Sequence, residues 1–313
     1  MERHGTLDEA RVTMTGMASP VVRYAAKDGI ARITLDRPKV NAYEVGLMSQ
    51  LRAAIDRAEE DARVRVVVLD SALPKVFSVG ADIKAWAAND TAANQRLVDH
   101  ARENAKAMAE SRLIYLAALA GHALGGGLEL AMACDLRLAA EGEYQLGLPE
   151  VKLGLMPGNG GTQRLLRLVG PSRALALVAS GESVGPAEAR AIGLIDRLYP
   201  AETFEAEVAA YARALASGPG EALAAIKQAI GQGRERSLEA GLAVESALSD
   251  ALYDTPDGIE GFKAYDEKRP PRFGGGPVSY THLTQPTKAS RWRGRGGRSL
   301  GGARGGGGGG GGG

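Results

Sequence analysis

Leu113-Ile114-Tyr115-Leu116-Ala117-Ala118-Leu119-Ala120-Gly121-His122-Ala123-Leu124-Gly125-Gly126-Gly127-Leu128-Glu129 is the stretch on which the reading of the fold turns. Residues 113–120 form an apolar run long enough for a buried strand. Gly125-Gly126-Gly127 ends the loop that follows, and Leu128, Met132 and Leu136 open helical spacing behind it. Strand, glycine loop and helix are therefore predicted in that order. Glycines at a helix N-terminus sit where backbone N–H groups have no intrahelical partner and the dipole favours negative charge. With no Cβ in the way, an oxygen can approach that main chain closely. Glu129 falls in the first helical turn. It reads either as an ordinary first-turn acid stabilised by the dipole or as a working carboxyl beside that oxygen, and the segment alone leaves both open.

Upstream, residues 64–69 read as a buried strand, and Val76-Phe77-Ser78-Val79-Gly80-Ala81-Asp82-Ile83-Lys84 follows a short loop containing Pro74. Asp82 can cap a helix beginning near Ile83, which makes the N–H of Ala81 a second donor candidate. Taken alone, Gly80-Ala81-Asp82 is also simply a turn followed by an N-cap. Downstream, Leu148-Pro149-Glu150 runs into Gly154-Leu155-Met156-Pro157-Gly158-Asn159-Gly160-Gly161-Thr162, a second carboxylate beside a second glycine-rich turn. If the fold unites Glu129 and Glu150, two carboxylates share a cleft with exposed N–H donors. Such a site suits acid–base chemistry on a polarised carbonyl.

These three segments, in this order and spacing, resemble the crotonase family, the enoyl-CoA hydratase/isomerase superfamily, from about Val21 to Phe273. Residues 35–42 (Leu-Asp-Arg-Pro-Lys-Val-Asn-Ala) and Glu267-Lys268-Arg269-Pro270 support the likeness. The resemblance implies an α/β, crotonase-like spiral of ββα units with a C-terminal helical region. It implies that the N–H groups of Ala81 and Gly126 form an oxyanion hole for an acyl-CoA thioester, with Glu129 and Glu150 as the two catalytic acids of a hydratase. Gly80, Asp82, Ile83, Gly125, Pro149 and Gly158 are expected to line the substrate, with Lys84 and Lys268 near the coenzyme A phosphates; an exposed lysine is otherwise a solvated charge. The implied reaction adds water across the 2,3 double bond of an enoyl-CoA. Coenzyme A belongs to the substrate, so no separate cofactor and no metal are expected. An isomerase or another acyl-CoA enzyme of the family is the alternative, and a non-catalytic acyl-CoA or RNA-binding relative the different class. Homotrimers or homohexamers are implied by resemblance.

Three positions depart from the family pattern: Ala120 before Gly121, Tyr43 after Asn41-Ala42, and Leu128 between Gly127 and Glu129. None removes a catalytic group, but they bear on the acyl pocket, to which Trp86 and Tyr43 are candidates unless they are core aromatics.

Other chemistries find little footing. The histidines are His4, His100, His122 and His282, with no serine in a nucleophile elbow. Cys134 is the single cysteine, lies on an apolar face and reads as core packing; no Cys/His cluster has metal-ligand spacing. The glycine runs are neither a dinucleotide fingerprint nor a phosphate loop. A glycosidase-like carboxylate pair meets only 5% aromatic residues for stacking sugars.

The composition, 44% hydrophobic and 24% charged over 313 residues, is that of a globular protein with a large core. No apolar stretch approaches the roughly 20 residues of a membrane span, and the first residues lack a signal-peptide core, so a cytoplasmic enzyme without membrane association is expected. Four segments are expected: an N-terminal extension at 1–16, the spiral core with its CoA-ester site at 17–200, a helical oligomerisation region at 201–276, and a tail at 277–313. That tail carries six basic residues and no acidic one, which leaves −5 on residues 1–276 under a formal total of +1. Its arginines and glycines resemble an RNA-binding segment. Val278-Ser279-Tyr280-Thr281-His282-Leu283-Thr284 instead resembles translated adapter DNA, so the tail reads as non-native, disordered and without a nucleic-acid role.

Within the core, Lys27-Asp28-Gly29 signals a hairpin between residues 21–24 and 30–35, and Leu47, Met48, Leu51, Ile55 and Ala58 share one helix face. Helices are predicted over 204–216, 221–230, 238–252 and 256–268, the last with Thr255 as N-cap and Pro256 at its first position.

Overall fold

The computed structural model describes residues 20–274. Contacts divide the chain into residues 1–277 and 278–313, and every described residue belongs to the first unit. The predicted extension at 1–16 and the predicted tail at 277–313 lie outside the described residues.

The chain opens with the hairpin β1 (Val22–Lys27) and β2 (Ile30–Leu35), paired antiparallel. Asp28 and Gly29 make its two-residue turn, both at positive φ (52° and 79°), which suits the right-handed twist of the strands. Next come α1 (Val45–Glu60), β3 (Val66–Ser71), β4 (Val76–Ser78), α2 (Ile83–Ala88) and α3 (Thr91–Glu110). The middle of the chain forms β5 (Ile114–Leu119), β6 (His122–Leu124), α4 (Gly126–Ala133), β7 (Leu136–Ala140), β8 (Leu146–Gly147) and a 3-10 turn, Pro149–Leu153. After it stand α5 (Gly161–Val169), α6 (Pro171–Ser180), β9 (Ser183–Val184), α7 (Pro186–Ala191) and β10 (Arg197–Tyr199). Four helices complete the described chain: α8 (Phe204–Ala216), α9 (Gly220–Gly233), α10 (Leu238–Asp250) and α11 (Pro256–Asp266).

The strands form two sheets, and from β3 to β8 they alternate between them. One has six strands in the order β1-β2-β3-β5-β7-β10, the other four in the order β4-β6-β8-β9. Each middle turn of the chain therefore lays one strand in the large sheet, one in the small sheet, and then a helix. This is the expected spiral of ββα units. Parallel pairing through β2, β3, β5 and β7 explains the continuous apolar runs, because both faces are covered. Alternate residues face opposite ways. Val67, Leu69, Ala117 and Leu119 turn into the spiral interior with Leu47, Met48 and Leu51 of α1. Val66, Val68, Leu116 and Ala118 turn the other way, against Phe204, Val208, Ala212 and Ala216, a single stripe along α8 at intervals of four.

Three expectations need correction. The strand predicted at 64–69 starts two residues later, because the Val64 and Arg65 amides are used by a turn, bonding to the carbonyls of Asp61 and Gly29. The supposed loop between Ala120 and Gly125 contains β6, whose three residues pair with β4 and β8. The helical spacing taken to run through Leu136 is coincidental. α4 ends at Ala133 with extended Cys134 as its C-cap, the Asp135 amide bonds the Tyr115 carbonyl, and Leu136 begins β7. Cys134 is buried as expected, but as a cap rather than on a helix face.

Candidate active site

The small sheet positions the site. β4, β6 and β8 run parallel, so their C-terminal ends lie along one edge, the usual place for a ligand in such sheets. From that edge leave residues 79–82 after β4, Gly125 after β6, and Leu148 leading into the turn with Glu150 after β8. Three segments distant in sequence therefore converge because three short strands pair.

Gly80 and Gly126 touch. A Cβ built on Gly80 would stand 2.5 Å from the Gly126 nitrogen, and Gly80 itself is at φ +75°, so the contact depends on glycine twice over. Gly125 caps α4 at φ 52° and its amide bonds the Gly147 carbonyl at 2.9 Å. Gly126 is then the first helical residue, whose N–H has no intrahelical partner. Tyr43 secures this arrangement. Its amide bonds the Gly80 carbonyl at 2.7 Å, its backbone bridges to Ala81, and its hydroxyl donates to the Gly126 carbonyl at 2.6 Å. Tyr43 is 4% exposed, so the choice between pocket lining and core falls to core, with a positioning role the sequence did not disclose.

Glu129, in the first turn of α4, is 3% exposed. Its Oε1 accepts from the amides of Asn159 and Gly161, each at 2.7 Å. Burial raises its carboxyl above the ordinary value, and these two N–H groups pull it back. Glu150 lies in the 3-10 turn, with Oε1 3.2 Å from where a Cβ on Gly125 would stand. Its Oε2 is buried and has no hydrogen-bond partner among the described residues. Burial chiefly, and then the charge of Glu129, raise its carboxyl to about 7. The two acids are electrostatically coupled and unequally held: one is clamped by main-chain donors, the other poised to keep a proton near neutrality.

The remaining predicted residues are placed as follows. Asp82 caps α2, its side chain accepting from the amides of Lys84 and Ala85, so its structural reading is realised. Ile83 is 60% exposed and Lys84 is exposed beside it. Pro149 opens the turn that carries Glu150. The Gly158 carbonyl accepts from Arg102 Nε at 2.9 Å. Lys268 follows α11 at φ 53°, its amide bonding the Tyr265 carbonyl; no hydrogen bond or ion pair among the described residues ties it to the glutamates' loops. Trp86 packs half-buried against the core. His122 Nδ1 accepts from the Gln145 amide, and His100 lies 3.8 Å from Glu103 on the outside of α3. Among the described residues no group of three His, Cys, Asp or Glu is placed to hold a metal ion.

Sequence reasoning missed the donors of Asn159 and Gly161, and the guanidiniums of Arg102 and Arg164 near them. A signal was present: Gly160 (φ 92°) caps α5 and Gly161 opens it, so free amides were to be expected there.

The sequence profile of the enoyl-CoA hydratase/isomerase family matches residues 25–276. The mitochondrial methylglutaconyl-CoA hydratase of Mus musculus is 40% identical over 242 residues, covering 75% of this chain and 76% of that protein. A probable enoyl-CoA hydratase of Bacillus subtilis is 36% identical over 259 residues, covering 81% and 98%. Among solved structures, an enoyl-CoA hydratase from Geobacillus kaustophilus superposes with a TM-score of 0.80 at 39% identity, covering 83% of this chain and 98% of that one.

Proposed function

The chain belongs to the enoyl-CoA hydratase/isomerase family, and from the site it carries we propose that it acts as an enoyl-CoA hydratase through Glu129, Glu150 and the amides of Ala81 and Gly126. The observation that carries this reading is the electrostatic coupling of buried Glu129 with partly buried Glu150, the latter against Gly125 and next to the Gly80–Gly126 contact. Hydration needs an acid and a base at once. Water loses a proton as its oxygen bonds C3, C2 gains a proton, and negative charge gathers on the thioester oxygen meanwhile. Glu129, whose carboxylate is positioned by two N–H groups, takes the proton from water. Glu150, with its carboxyl raised to about 7, delivers one to C2. The Ala81 and Gly126 amides receive the thioester oxygen, a type of contact worth about 10²–10³ in rate per donor. Gly80, Gly125, Pro149 and Gly158 shape the acyl channel, and Lys84 and Lys268 meet the coenzyme A phosphates.

The loss of enoyl-thioester absorbance with crotonyl-CoA measures the reaction. Glu129→Gln and Glu150→Gln are each expected to lower turnover by about 10²–10⁴ while CoA-ester binding persists. Full turnover in either variant removes that glutamate from the mechanism. Self-association into trimers or hexamers belongs to the same reading. It is supported by the exposed apolar residues of the last helices, among them Ile230, Leu238, Phe262 and Tyr265, and sedimentation tests it.

A further inference from the structure

We infer that Asn41, a buried carboxamide in the loop after β2, is a positioning residue for the proposed reaction, aiming the Ala81 amide by holding β4 and the glycine turn that follows it. The inference rests on the hydratase reading and adds to it what fixes the first of the two donors.

The difficulty is set by Gly80. Its contact with Gly126 demands glycine, and glycine leaves the peptide after it free to take several orientations. A donor stabilises developing charge best when it is already aimed. The Gly80 carbonyl and the Ala81 N–H belong to one planar trans peptide and point opposite ways, so whatever holds that carbonyl aims that N–H. The Tyr43 amide holds it at 2.7 Å. Strand pairing upstream gives little help. β4 has three residues and stands at the edge of the small sheet, where β6 pairs with it through an irregular register.

Asn41 takes the place of a strand on the other side of β4. It is 0% exposed, and its φ of 49° is one that asparagine tolerates better than most residues. Nδ2 donates to the Phe77 carbonyl at 2.9 Å and to Ser71 Oγ at 2.8 Å, and Ser71 Oγ donates to the Val76 carbonyl at 2.6 Å. The Asn41 carbonyl accepts from Ser78 Oγ at 2.8 Å, and Ser78 Oγ accepts from the Gly80 amide at 3.2 Å. Oδ1 accepts from the Arg37 amide at 2.7 Å, which closes the loop that carries Asn41. One residue thus holds all three positions of β4, directly or through a serine, and reaches the Gly80 amide through a single hydroxyl. Tyr43, two residues on, takes the Gly80 carbonyl. Both ends of Gly80 are fixed from one short segment, and this buried network supplies the rigidity that glycine lacks.

The test compares the purified full chain with Asn41→Gly, which accepts the same φ and deletes the carboxamide, and with Ser78→Ala, which removes one oxygen. With crotonyl-CoA, kcat per folded molecule is expected to fall about 10–100-fold in Asn41→Gly and about 3–10-fold in Ser78→Ala, while KM moves less than about 3-fold. Two further CoA esters read the donors directly. Butyryl-CoA develops no charge on its thioester oxygen, whereas acetoacetyl-CoA can give its C2 proton to solvent and bind as the enolate, which has its own ultraviolet band. At pH 8 the wild type should bind acetoacetyl-CoA at least about 10-fold more tightly than butyryl-CoA and intensify that band. Both variants should lose most of the preference and the band, with butyryl-CoA affinity kept within about 3-fold. A merely structural role would weaken both esters alike and leave kcat per folded molecule unmoved. Either result overturns the inference, as does a wild type without the preference. If Asn41→Gly does not fold, Ser78→Ala decides alone. Absence of crotonyl-CoA hydration in the wild type would count against the hydratase reading, while the pair of esters still judges the aim of the Ala81 amide.

Discussion

Replacing Glu150 by Gln should make the protein less active and more stable, and the gain should depend on pH with a defined sign. An ordinary glutamate ionises at 4.5; in the folded chain Glu150 does so at about 7. Its folded value is raised above the unfolded one, so between pH 4.5 and 7 the native state holds the proton more tightly. Stability from this group is then greatest below pH 4.5 and declines as pH rises to about 7, beyond which the loss is constant. The interval corresponds to a ceiling of about 3 kcal/mol. Glu150 is only partly buried, and solvent screening reduces the figure to about 1–2 kcal/mol. Glutamine keeps the shape and removes the charge, so Glu150→Gln should melt about 2–6 °C above the wild type at pH 8 and indistinguishably from it at pH 4.5. Paired thermal scans at the two pH values measure this, with turnover of the same samples on crotonyl-CoA. A gain that is equal at both pH values, or present only at the acidic one, would refute the assignment of a proton held on Glu150 by burial.

Gly80→Ala forces a Cβ to within 2.5 Å of the Gly126 nitrogen at a φ of +75°, so kcat should fall about 10²–10³ with KM largely kept; an unchanged kcat would remove the Gly126 amide from the mechanism. Tyr43→Phe deletes the hydroxyl bonded to the Gly126 carbonyl at 2.6 Å. It should cost about 1 kcal/mol in urea unfolding and a smaller fraction of kcat than Gly80→Ala. Lys227 clamps α9 to the large sheet, with Nζ donating to the carbonyls of Met108 and Leu113 and to Asp135. Lys227→Met should therefore cost about 3 kcal/mol in the same unfolding measurement while activity per folded molecule holds.

What was legible in the sequence follows from how far each signal reaches along the chain. The β1–β2 hairpin could be read because Asp28-Gly29 specifies its own turn. The stripe on α1 and the Thr255 cap of α11 could be read because a helix writes its burial and its ends locally. The small sheet could not. β4, β6 and β8 have three, three and two residues, too few for a period of 2 to declare itself. Yet those strands bring the loops of Ala81, Gly126 and Glu150 to one edge, so the convergence that makes a site was visible only through resemblance. The unequal treatment of the two acids was hidden for the same reason. Glu129 and Glu150 look alike as letters beside glycine turns, and what separates them is which one receives the Asn159 and Gly161 amides across some 30 residues of chain.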